Sequence, residues 1–406
     1  MSDHDDLLWL EDAIDHALAC RDSFLEDRAQ TQTETVAVDR VAGRVIAEDV
    51  VAEADQPAAD HATMDGYAFA AEDEGPLEVV DADIYPETEP PTLEAGRAIE
   101  IATGAPLPKR ADTVVKREDT SVVDDRLEKP DLDAGTYVYE RGSNVAAGDR
   151  LYAAGDRLSA LDAILLRDVG REEVAVAEPF SVAVLATGTE IHEGRHTDLD
   201  SPMLCNLVRG WGHEPTYEGS VPDEDDRVED RIADLAEAND VVVTTGGTSV
   251  GKKDYVLDAL ASLGEVTFHR VRIRPGKPIA IARLPAYDAL AVAVPGKPIG
   301  AYVSTTLVAR PLFTGEASPP SLERTFTQDV GLGPSGFTYA IPVTLDGDDA
   351  TPLGHASSPL SVYEETFDPS VLSSSTRAAA ADGFVLTTEG LAAGERVDVV
   401  PTTALE

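Results

Sequence analysis

The middle of the chain reads Asp240-Val241-Val242-Val243-Thr244-Thr245-Gly246-Gly247-Thr248-Ser249-Val250-Gly251, and Asp254 follows shortly after it. The β-branched run predicts a buried strand, Asp240–Thr244, that ends in a glycine turn. In an open α/β sheet, ligands bind beyond the carboxyl ends of strands, where glycines let backbone N–H groups close around an anion. The stretch therefore predicts a phosphate site, with Asp254 as either a ligand or a helix cap. A purely structural strand-to-helix turn is the alternative, because the motif is neither a dinucleotide fingerprint nor a Walker loop.

Strands and helices alternate on both sides of this stretch, between about Pro179 and Pro311. Continuous β-branched strands that alternate with helices are typical of a parallel sheet covered on both faces. We therefore predict an α/β fold with a doubly wound, mostly parallel sheet. The other expected elements are strand Ser181–Ala186, helix Pro202–Arg209, helix Asp225–Ala238, helix Tyr255–Leu263, strand Leu290–Val294 and helix Ile299–Ala309.

The flanking segments have different patterns. Apolar residues from Leu7 to Leu18 recur at helical spacing and predict an amphipathic helix. From about Glu48 to Arg141, short strand-like runs between Pro, Gly and Asp turns predict a β-rich insertion. A helix after Ser159 is expected to rejoin the N-terminal element. Short alternating runs after Ser318 predict a C-terminal β-barrel or sandwich.

The charge balance is extreme, since 32 Lys and Arg stand against 76 Asp and Glu, for a net charge of −44. Such a surface repels nucleic-acid phosphates and anionic lipids, so we expect neither nucleic acid nor membrane partners. Only seven of the basic residues are Lys. Dispersed carboxylates with few lysines favour a halophilic source, with an unusually acidic mesophilic protein as the alternative.

The cysteines and the N-terminus indicate a cytoplasmic location. Cys20 and Cys205 lack the paired spacing of a zinc site or a disulfide framework. The segment Met1–Asp6 is acidic where a signal peptide carries positive charge, and no apolar run approaches the length of a membrane span. We therefore expect a cytoplasmic protein with two buried thiols.

Further candidate site residues surround the predicted mouth of the sheet. Arg270, Arg272 and Arg274 alternate before Pro275-Gly276-Lys277-Pro278, and alternation predicts that the arginines share one face of a strand. These concentrated cations indicate an anion site, unless neighbouring carboxylates neutralise them. Thr187-Gly188-Thr189-Glu190 forms a second glycine turn with a carboxylate after a predicted strand.

In combination and in this order, the motifs resemble the molybdopterin molybdenumtransferase family, which comprises MoeA in bacteria and the E domain of gephyrin in animals. The resemblance is nearly full length and implies an elongated discontinuous domain (1–46 and 144–178), a β-rich insertion domain (47–143), an α/β molybdopterin-binding domain (179–317) and a C-terminal β-barrel (318–406). With the charge, it also points to a halophilic archaeon. The segments that carry it are Arg40–Val51, Met64-Asp65-Gly66-Tyr67-Ala68, Thr103-Gly104-Ala105-Pro106, Thr187-Gly188-Thr189-Glu190, Gly246-Gly247-Thr248-Ser249-Val250-Gly251, Pro275-Gly276-Lys277-Pro278 and Pro295-Gly296-Lys297-Pro298.

The resemblance implies an activity and an assembly. Adenylylated molybdopterin and molybdate would be converted to molybdenum cofactor with release of AMP, assisted by Mg²⁺. The protein would be an elongated homodimer, with each active site between the sheet domain of one subunit and the β insertion of the other. The adenylyltransferase that prepares the substrate is a candidate partner. Tungstate is an alternative oxyanion, because it has the same charge and nearly the same shape as molybdate.

The resemblance also implies residue roles, which follow the chemistry of the ligands. Carboxylates suit magnesium, whereas Arg, Lys and backbone amides suit the anions. The implied catalytic residues are Asp65, Glu190, Asp254, Thr103 and Lys277. The implied metal ligands are Asp65, Glu190, Asp223 and Asp254. The implied cofactor-binding residues are Gly246, Gly247, Thr248, Ser249, Gly251, Arg270, Arg274, Pro295 and Pro298.

The chain departs from the family pattern at a few positions. Asn144 stands where the family usually has Asp, Lys297 replaces a usual Asn, and Gly300 replaces a small hydroxyl residue. These departures keep open a non-catalytic pterin-binding or scaffolding paralogue. The adenylyltransferase itself is the other alternative, but its fold resembles the sheet domain alone, and the additional regions of this chain argue against it.

The net charge of −44 predicts salt-dependent stability. The Debye length is about 10 Å at 0.1 M salt and about 3 Å at 1 M, so carboxylate repulsion is felt between neighbours only at low salt. We expect the fold or the oligomer to weaken as potassium chloride is lowered from 3 M to 0.1 M, followed by circular dichroism and sedimentation. Unchanged spectra and sedimentation across that range would contradict a halophilic origin.

Overall fold

The computed structural model describes residues 7–28, 32–247 and 254–406. They form two compact units. The inserted unit is Thr33–Ala177, and the main unit is Glu178–Glu406 together with the described residues before Thr33. Within the described ranges, no helix has both the length and the apolar composition needed to cross a bilayer.

Helix α1 (Leu10–Arg28) belongs to the main unit. Just before it, Leu8 forms a parallel bridge with Val271. The predicted amphipathic helix is confirmed, and it continues well beyond Leu18. One face is buried in the core at intervals of three and four residues, as an amphipathic helix requires. The buried positions are Leu10, Ala13, Ala17, Cys20 and Phe24.

The inserted unit contains the segment from about Glu48 to Arg141 that we predicted to be β-rich, and it is built mainly from short strands. The strands are β1 (Thr33–Ala37), β2 (Val50–Val51), β3 (His61–Ala62), β4 (Gly66–Phe69), β5 (Leu77–Ile84), β6 (Arg97–Ile101), β7 (Thr113–Lys116), β8 (Val122–Val123), β9 (Arg126–Leu127), β10 (Val138–Tyr139), β11 (Arg150–Tyr152) and β12 (Glu173–Ala177). The principal sheet has the order β7-β4-β6-β5-β9-β8. Strands β1 and β12 pair antiparallel where the chain enters and leaves the unit.

Helix α2 (Asp162–Asp168) also lies in the inserted unit. Its buried Leu166 belongs to a small apolar cluster that includes Ile46, Leu158 and Val176. We expected this helix to rejoin the element that begins near the N-terminus, and Leu166 packs with residues of that segment such as Ile46. Helix α1 itself belongs to the main unit, where its apolar face is buried.

The main unit contains the predicted α/β domain. Its strands are β13 (Ser181–Thr187), β14 (Glu214–Val221), β15 (Val241–Thr245), β16 (Glu265–His269), β17 (Ile273–Arg274), β18 (Ala280–Leu284) and β19 (Ala289–Val294). Its helices are α3 (Thr189–His192), α4 (Asp200–Gly210), α5 (Asp225–Ala236), α6 (Tyr255–Leu263), α7 (Pro298–Ser304) and α8 (Arg310–Thr314), with a π-helical segment Thr305–Ala309 between the last two.

The sheet of the main unit has the order β14-β13-β15-β19-β18-β16. Strands β14, β13, β15 and β19 are parallel, and β18 and β16 are antiparallel additions. Alternate residues of β13 enter different cores: Val182 and Val184 lie on one face with α1 and α4, and Ala183 and Leu185 on the other with α5 and α6. The doubly wound, mostly parallel sheet is therefore confirmed.

The C-terminal region closes into a barrel. Its strands are β20 (Leu322–Phe326), β21 (Thr338–Asp346), β22 (Asp349–Pro352), β23 (Gly383–Thr387) and β24 (Arg396–Pro401), and a short helix, α9 (Pro369–Leu372), precedes β23. The ring runs β21-β22-β20-β24-β23 and returns to β21. Closure removes exposed strand edges. The barrel alternative is confirmed over the sandwich.

Candidate functional site

The candidate site begins where β13, β15 and β19 end at the same edge of the sheet. Gly246 and Gly247 follow β15 with φ of +90° and +65°, a conformation that favours glycine. A Cβ on Gly246 would collide with the carbonyl oxygen of Thr187, which ends β13. A Cβ on Gly296, after β19, would lie 3.0 Å from the Cα of Gly246. The backbones of these loops therefore meet at distances that side chains would prevent.

A cleft of about 550 Å³ lies above these loops. Several of the residues expected from the sequence share its lining, namely Glu190, Asp223, Gly246, Gly247, Pro295 and Pro298. Three predicted residues, Thr248, Ser249 and Gly251, lie outside the described part of the chain. The structure thus brings together candidates that are more than 100 residues apart in the sequence.

The carboxylates of the cleft are positioned by local turns. The Thr189 backbone N–H donates to Asp223 Oδ2 at 3.2 Å, and the Asp223 backbone N–H donates to Thr189 Oγ1 at 3.1 Å. Gly188 has a φ of +137°, and a Cβ there would lie 3.3 Å from Glu190 Oε1. Glycine at this position therefore leaves room for the Glu190 carboxylate to lie back over the turn.

A second cavity of about 310 Å³ adjoins the cleft and shares Pro278, Pro295 and Lys297 with it. Arg274 and Lys277 line this second cavity. The Arg274 guanidinium lies 4.2 Å from the ring centroid of Phe337, an arrangement that keeps a cation in place without a carboxylate. The second cavity is thus suited to an anion.

The departures from the family pattern can be located as well. Lys297 Nζ lies 3.5 Å from the carbonyl oxygen of Ser370, and Gly300 lines the second cavity. A Cβ on Gly300 would meet neighbours only at ordinary distances of 3.5 Å or more, so packing does not require glycine there. In the inserted unit, Asn144 Nδ2 donates to Asp168 Oδ2 at 2.9 Å. An Asp at position 144 would put two carboxylates at that distance.

The expected arginine face is not formed. Arg270 has a φ of +71°, which breaks the extended alternation, and β17 contains only Ile273 and Arg274. Arg272 instead donates from Nε to the carbonyl oxygen of Leu7 at 3.0 Å. The prediction of one strand face was wrong because the N-terminal segment pairs with this stretch, which the local sequence cannot reveal.

Asp254 caps helix α6. Its Oδ1 accepts a hydrogen bond from the Leu257 backbone N–H at 3.1 Å, and its Oδ2 lies 3.9 Å from His269 Nε2. Burial raises the pKa of Asp254, against the opposing effects of that hydrogen bond and of Arg270. Asp254 and Arg270 are not among the described lining of either cavity. The geometry supports the cap, and the proposed metal role stays a prediction.

Asp65 and Thr103 lie together in the inserted unit. The Thr103 backbone N–H and hydroxyl both donate to Asp65 Oδ1 at 2.7 Å. The backbone hydrogen bond, then the hydroxyl, lowers the pKa of Asp65, and the positive charge of Arg117 acts in the same direction. Asp65 and Thr103, which were predicted from two separate motifs, are therefore in contact, and the threonine holds the carboxylate in one orientation.

Asp198 and Asp200 line the cleft but were missed in the sequence. Asp198 Oδ1 accepts from the backbone N–H groups of Asp200 and Ser201, at 3.1 and 3.0 Å. The Thr245 hydroxyl donates to Asp200 Oδ2 at 3.0 Å, while the buried Asp200 Oδ1 has no hydrogen-bond partner among the described residues. Burial raises the pKa of Asp200 to about 6, with the Thr245 hydrogen bond opposing and the charge of Asp198 adding. The sequence signal that could have identified them is a pair of Asp residues before a helix, but this pattern is equally typical of a simple helix cap.

Comparison with known proteins assigns a class to this architecture. The model of the MoeA N-terminal region, domains I and II, matches residues 10–170. A model described as a probable molybdopterin binding domain matches residues 183–315, which contain the cleft. The chain therefore combines a molybdopterin-binding type of α/β domain with a MoeA-type N-terminal region. It belongs to the MoeA family, and several of its relatives are named molybdopterin molybdenumtransferase.

Individual relatives are similar to this chain over most of its length. The molybdopterin molybdenumtransferase of Nostoc sp. is 33% identical over 307 residues, which cover 70% of this chain and 69% of that protein. The Bacillus subtilis enzyme of the same name is 29% identical and covers 80% of this chain and 82% of its own length. The crystal structure of the molybdopterin biosynthesis moeA protein from Pyrococcus horikosii is 30% identical, covers 97% of this chain and 99% of its own, and has a TM-score of 0.69.

The burial of Asp200 leads to a stability prediction. Its pKa is raised from 3.8 to about 6 on folding, so the folded state binds the proton more tightly than the unfolded state. The resulting stabilisation is present below about pH 4 and is lost as the pH rises through about 6. Asp200→Asn should therefore be more stable than the parent at pH 8 by about 3 kcal/mol, and by much less at pH 4.5.

Urea denaturation in 3 M potassium chloride at both pH values measures the difference. Asp234→Asn, on the exposed face of α5, is the matched control, because it removes the same charge without burial. A stability difference between Asp200→Asn and the parent that does not change with pH would show that the carboxyl is not buried in this way.

Proposed function

We propose that this protein inserts molybdate into adenylylated molybdopterin with release of AMP, as the family resemblance implies. The observation that carries the proposal is the pair of adjoining cavities, one lined by glycine loops and carboxylates and the other by Arg274 and Lys277. A substrate that joins a pterin to a nucleotide through phosphates, together with an oxyanion, needs both kinds of surface. The names of the relatives support the same activity.

The second cavity supplies the charge that the reaction requires. Release of AMP leaves negative charge on the departing phosphate, and fixed cations stabilise such charge most strongly where it develops. Arg274 and Lys277 would serve this role, with Lys297 as an additional cation at the shared boundary. Molybdate and tungstate would both fit this chemistry, because their charge and shape are so similar.

Mg²⁺ is proposed to assist through Glu190 and Asp223. Among the described residues, no three His, Cys, Asp or Glu side chains form a metal-binding group. Magnesium, however, is commonly held by one or two carboxylates, with water and substrate phosphates completing the octahedron. Two cleft carboxylates therefore fit the ion when substrate is bound. Asp65 and Asp254 remain proposed ligands from the resemblance.

A non-catalytic pterin-binding paralogue is the second candidate. The observation that favours it is Gly300, where packing leaves room for a Cβ but the chain lacks the family's usual hydroxyl residue. Lys297 and Asn144 are further departures. Such a protein would bind the pterin without releasing AMP. An adenylyltransferase working alone is disfavoured by the inserted unit and the barrel, although it is a proposed partner.

AMP release tests the proposed activity. Purified protein in 3 M potassium chloride should release AMP from adenylylated molybdopterin when molybdate and Mg²⁺ are added. Glu190→Gln and Asp223→Asn should lower the rate at least about tenfold and raise the Mg²⁺ concentration for half-maximal release, because each removes a ligand charge. Lys277→Met should lower the rate without changing that Mg²⁺ requirement.

Asp234→Asn is the control and should leave both quantities unchanged, because it lies on the exposed face of a helix outside the cleft. Absence of AMP under these conditions would reject the transferase and favour the pterin-binding paralogue. AMP release with an unaltered Mg²⁺ requirement in both carboxylate variants would reject their role as ligands.

We also propose a cytoplasmic homodimer from a halophilic archaeon. The free, buried Cys20 and Cys205 support a reducing compartment, and the net charge supports the salt adaptation. The family resemblance supports the dimer and the use of Asp65 from one subunit with Asp254 from the other.

Mixed dimers test that arrangement. Asp65→Asn and Asp254→Asn homodimers should each be nearly inactive, and Asn at position 254 preserves the helix cap. A randomised equal mixture should regain about a quarter of the parental activity, since half of the dimers are mixed and each has one intact site. Subunit exchange is verified with differently tagged chains. A verified mixture no more active than its parents would overturn the proposal.

A further inference from the structure

We propose that Asp200 binds the amino-pyrimidinone edge of the pterin, the N–H donor face of its ring. The inference rests on the proposed function, which supplies a pterin as the ligand, and it goes further by assigning the ring to one end of the cleft. Asp200 is a residue of the cleft wall that the sequence motifs did not identify.

The first argument is the state of the carboxyl group. Asp200 is only 6% exposed, and its buried Oδ1 has no hydrogen-bond partner in the part of the chain that the structure describes, while Oδ2 accepts from Thr245. Leaving a buried acceptor unpaired costs free energy that a polar partner recovers. Because Asp200 lines the cleft, a ligand N–H group can supply that partner. The Thr245 hydrogen bond holds the carboxyl plane in place for it.

The second argument is the character of the surrounding wall. Leu199, Tyr255 and Pro295 line the same cleft, and half of the Leu199 surface is exposed although the side chain is apolar. Apolar walls with a few well-placed polar groups are typical of pockets for small ring systems. A flat ring between these side chains would cover the apolar surface and direct its edge at Asp200.

The third argument is the sign of the charge. Among the described residues lining the cleft, Lys297 is the only cation, against the carboxylates Glu190, Asp198, Asp200 and Asp223. Asp200 lies next to Asp198 in this acidic part, so an anionic phosphate is disfavoured there. The amino and ring N–H groups of a pterin are neutral donors, and a carboxylate accepts hydrogen bonds from both. The phosphates and the oxyanion are then left to the cavity that contains Arg274 and Lys277.

The test compares two ring systems that differ at this edge. The probes are 6-hydroxymethylpterin and 6-hydroxymethyllumazine, in which a carbonyl oxygen replaces the amino group. Binding is measured by NMR titration in 3 M potassium chloride at pH 7.5, without Mg²⁺ or molybdate. The parent protein should bind the pterin at least about tenfold more tightly, because the lumazine presents an acceptor to the carboxylate.

Asp200→Asn should reduce that preference to less than about threefold, since the carboxamide can donate to the lumazine carbonyl. The matched control Asp234→Asn should keep the parental preference, and circular dichroism verifies that both variants are folded. Equal binding of the two probes by the parent protein would overturn the inference without any variant. A preference that is unchanged in folded Asp200→Asn would overturn it as well.

The result is separable from the AMP assay. Ring discrimination through Asp200 without AMP release would retain this inference and reject the transferase activity. AMP release with discrimination that does not depend on Asp200 would retain the activity and reject the inference. If Asp200→Asn alters only the Mg²⁺ requirement for AMP release, Asp200 is a cation ligand and the pterin assignment is wrong.

Discussion

The close approach of the backbones at the ends of β13, β15 and β19 is the constraint on which the site depends. Gly246 fits against Thr187 and Gly296 only because neither glycine carries a side chain. This contact fixes the backbone beneath the cleft. It thereby fixes the position of Thr245, the last residue of β15. The Thr245 hydroxyl in turn holds Asp200. A substitution at Gly246 would therefore disturb side chains that it does not touch.

Charge is separated within the site although the protein as a whole is strongly acidic. The cleft contains Glu190, Asp198, Asp200 and Asp223, while Arg274 and Lys277 line the adjoining cavity. The Arg274 guanidinium lies over the ring of Phe337, and this aromatic contact holds its positive charge at the cavity wall. The two surfaces complement a substrate whose ring is a donor and whose other end is anionic.

The sequence predicted those parts of the structure that depend on local pattern. The β-branched strands, helices such as Tyr255–Leu263, the β-rich insertion and the C-terminal barrel were confirmed. Strand β14 escaped detection because Glu214–Val221 is a largely polar edge strand that lacks a continuous apolar run. The prediction of an arginine face was wrong because Leu7 and Leu8, far away in the sequence, contact this stretch through a hydrogen bond and a β-bridge.

The glycine turns in the sequence predicted Gly246 and Glu190 as site residues. Asp200 belongs to no such motif, and only its burial in the structure marks it as a candidate. For Asp254 the sequence left open a ligand role and a helix cap, and the structure shows the cap. Long-range placement and the burial of individual polar atoms depend on tertiary packing, which a single sequence does not encode in any local window.

The position of α1 has a consequence for how the chain folds during synthesis. The helix is synthesised well before α8, which it packs against and which begins roughly 280 residues later. At about 5–20 residues per second, its apolar face waits about 15 to 60 s for that partner. The inserted unit can fold in the interval, since its own first and last strands pair with each other. Until α8 is synthesised, the apolar face of α1 therefore lacks one of its native packing partners.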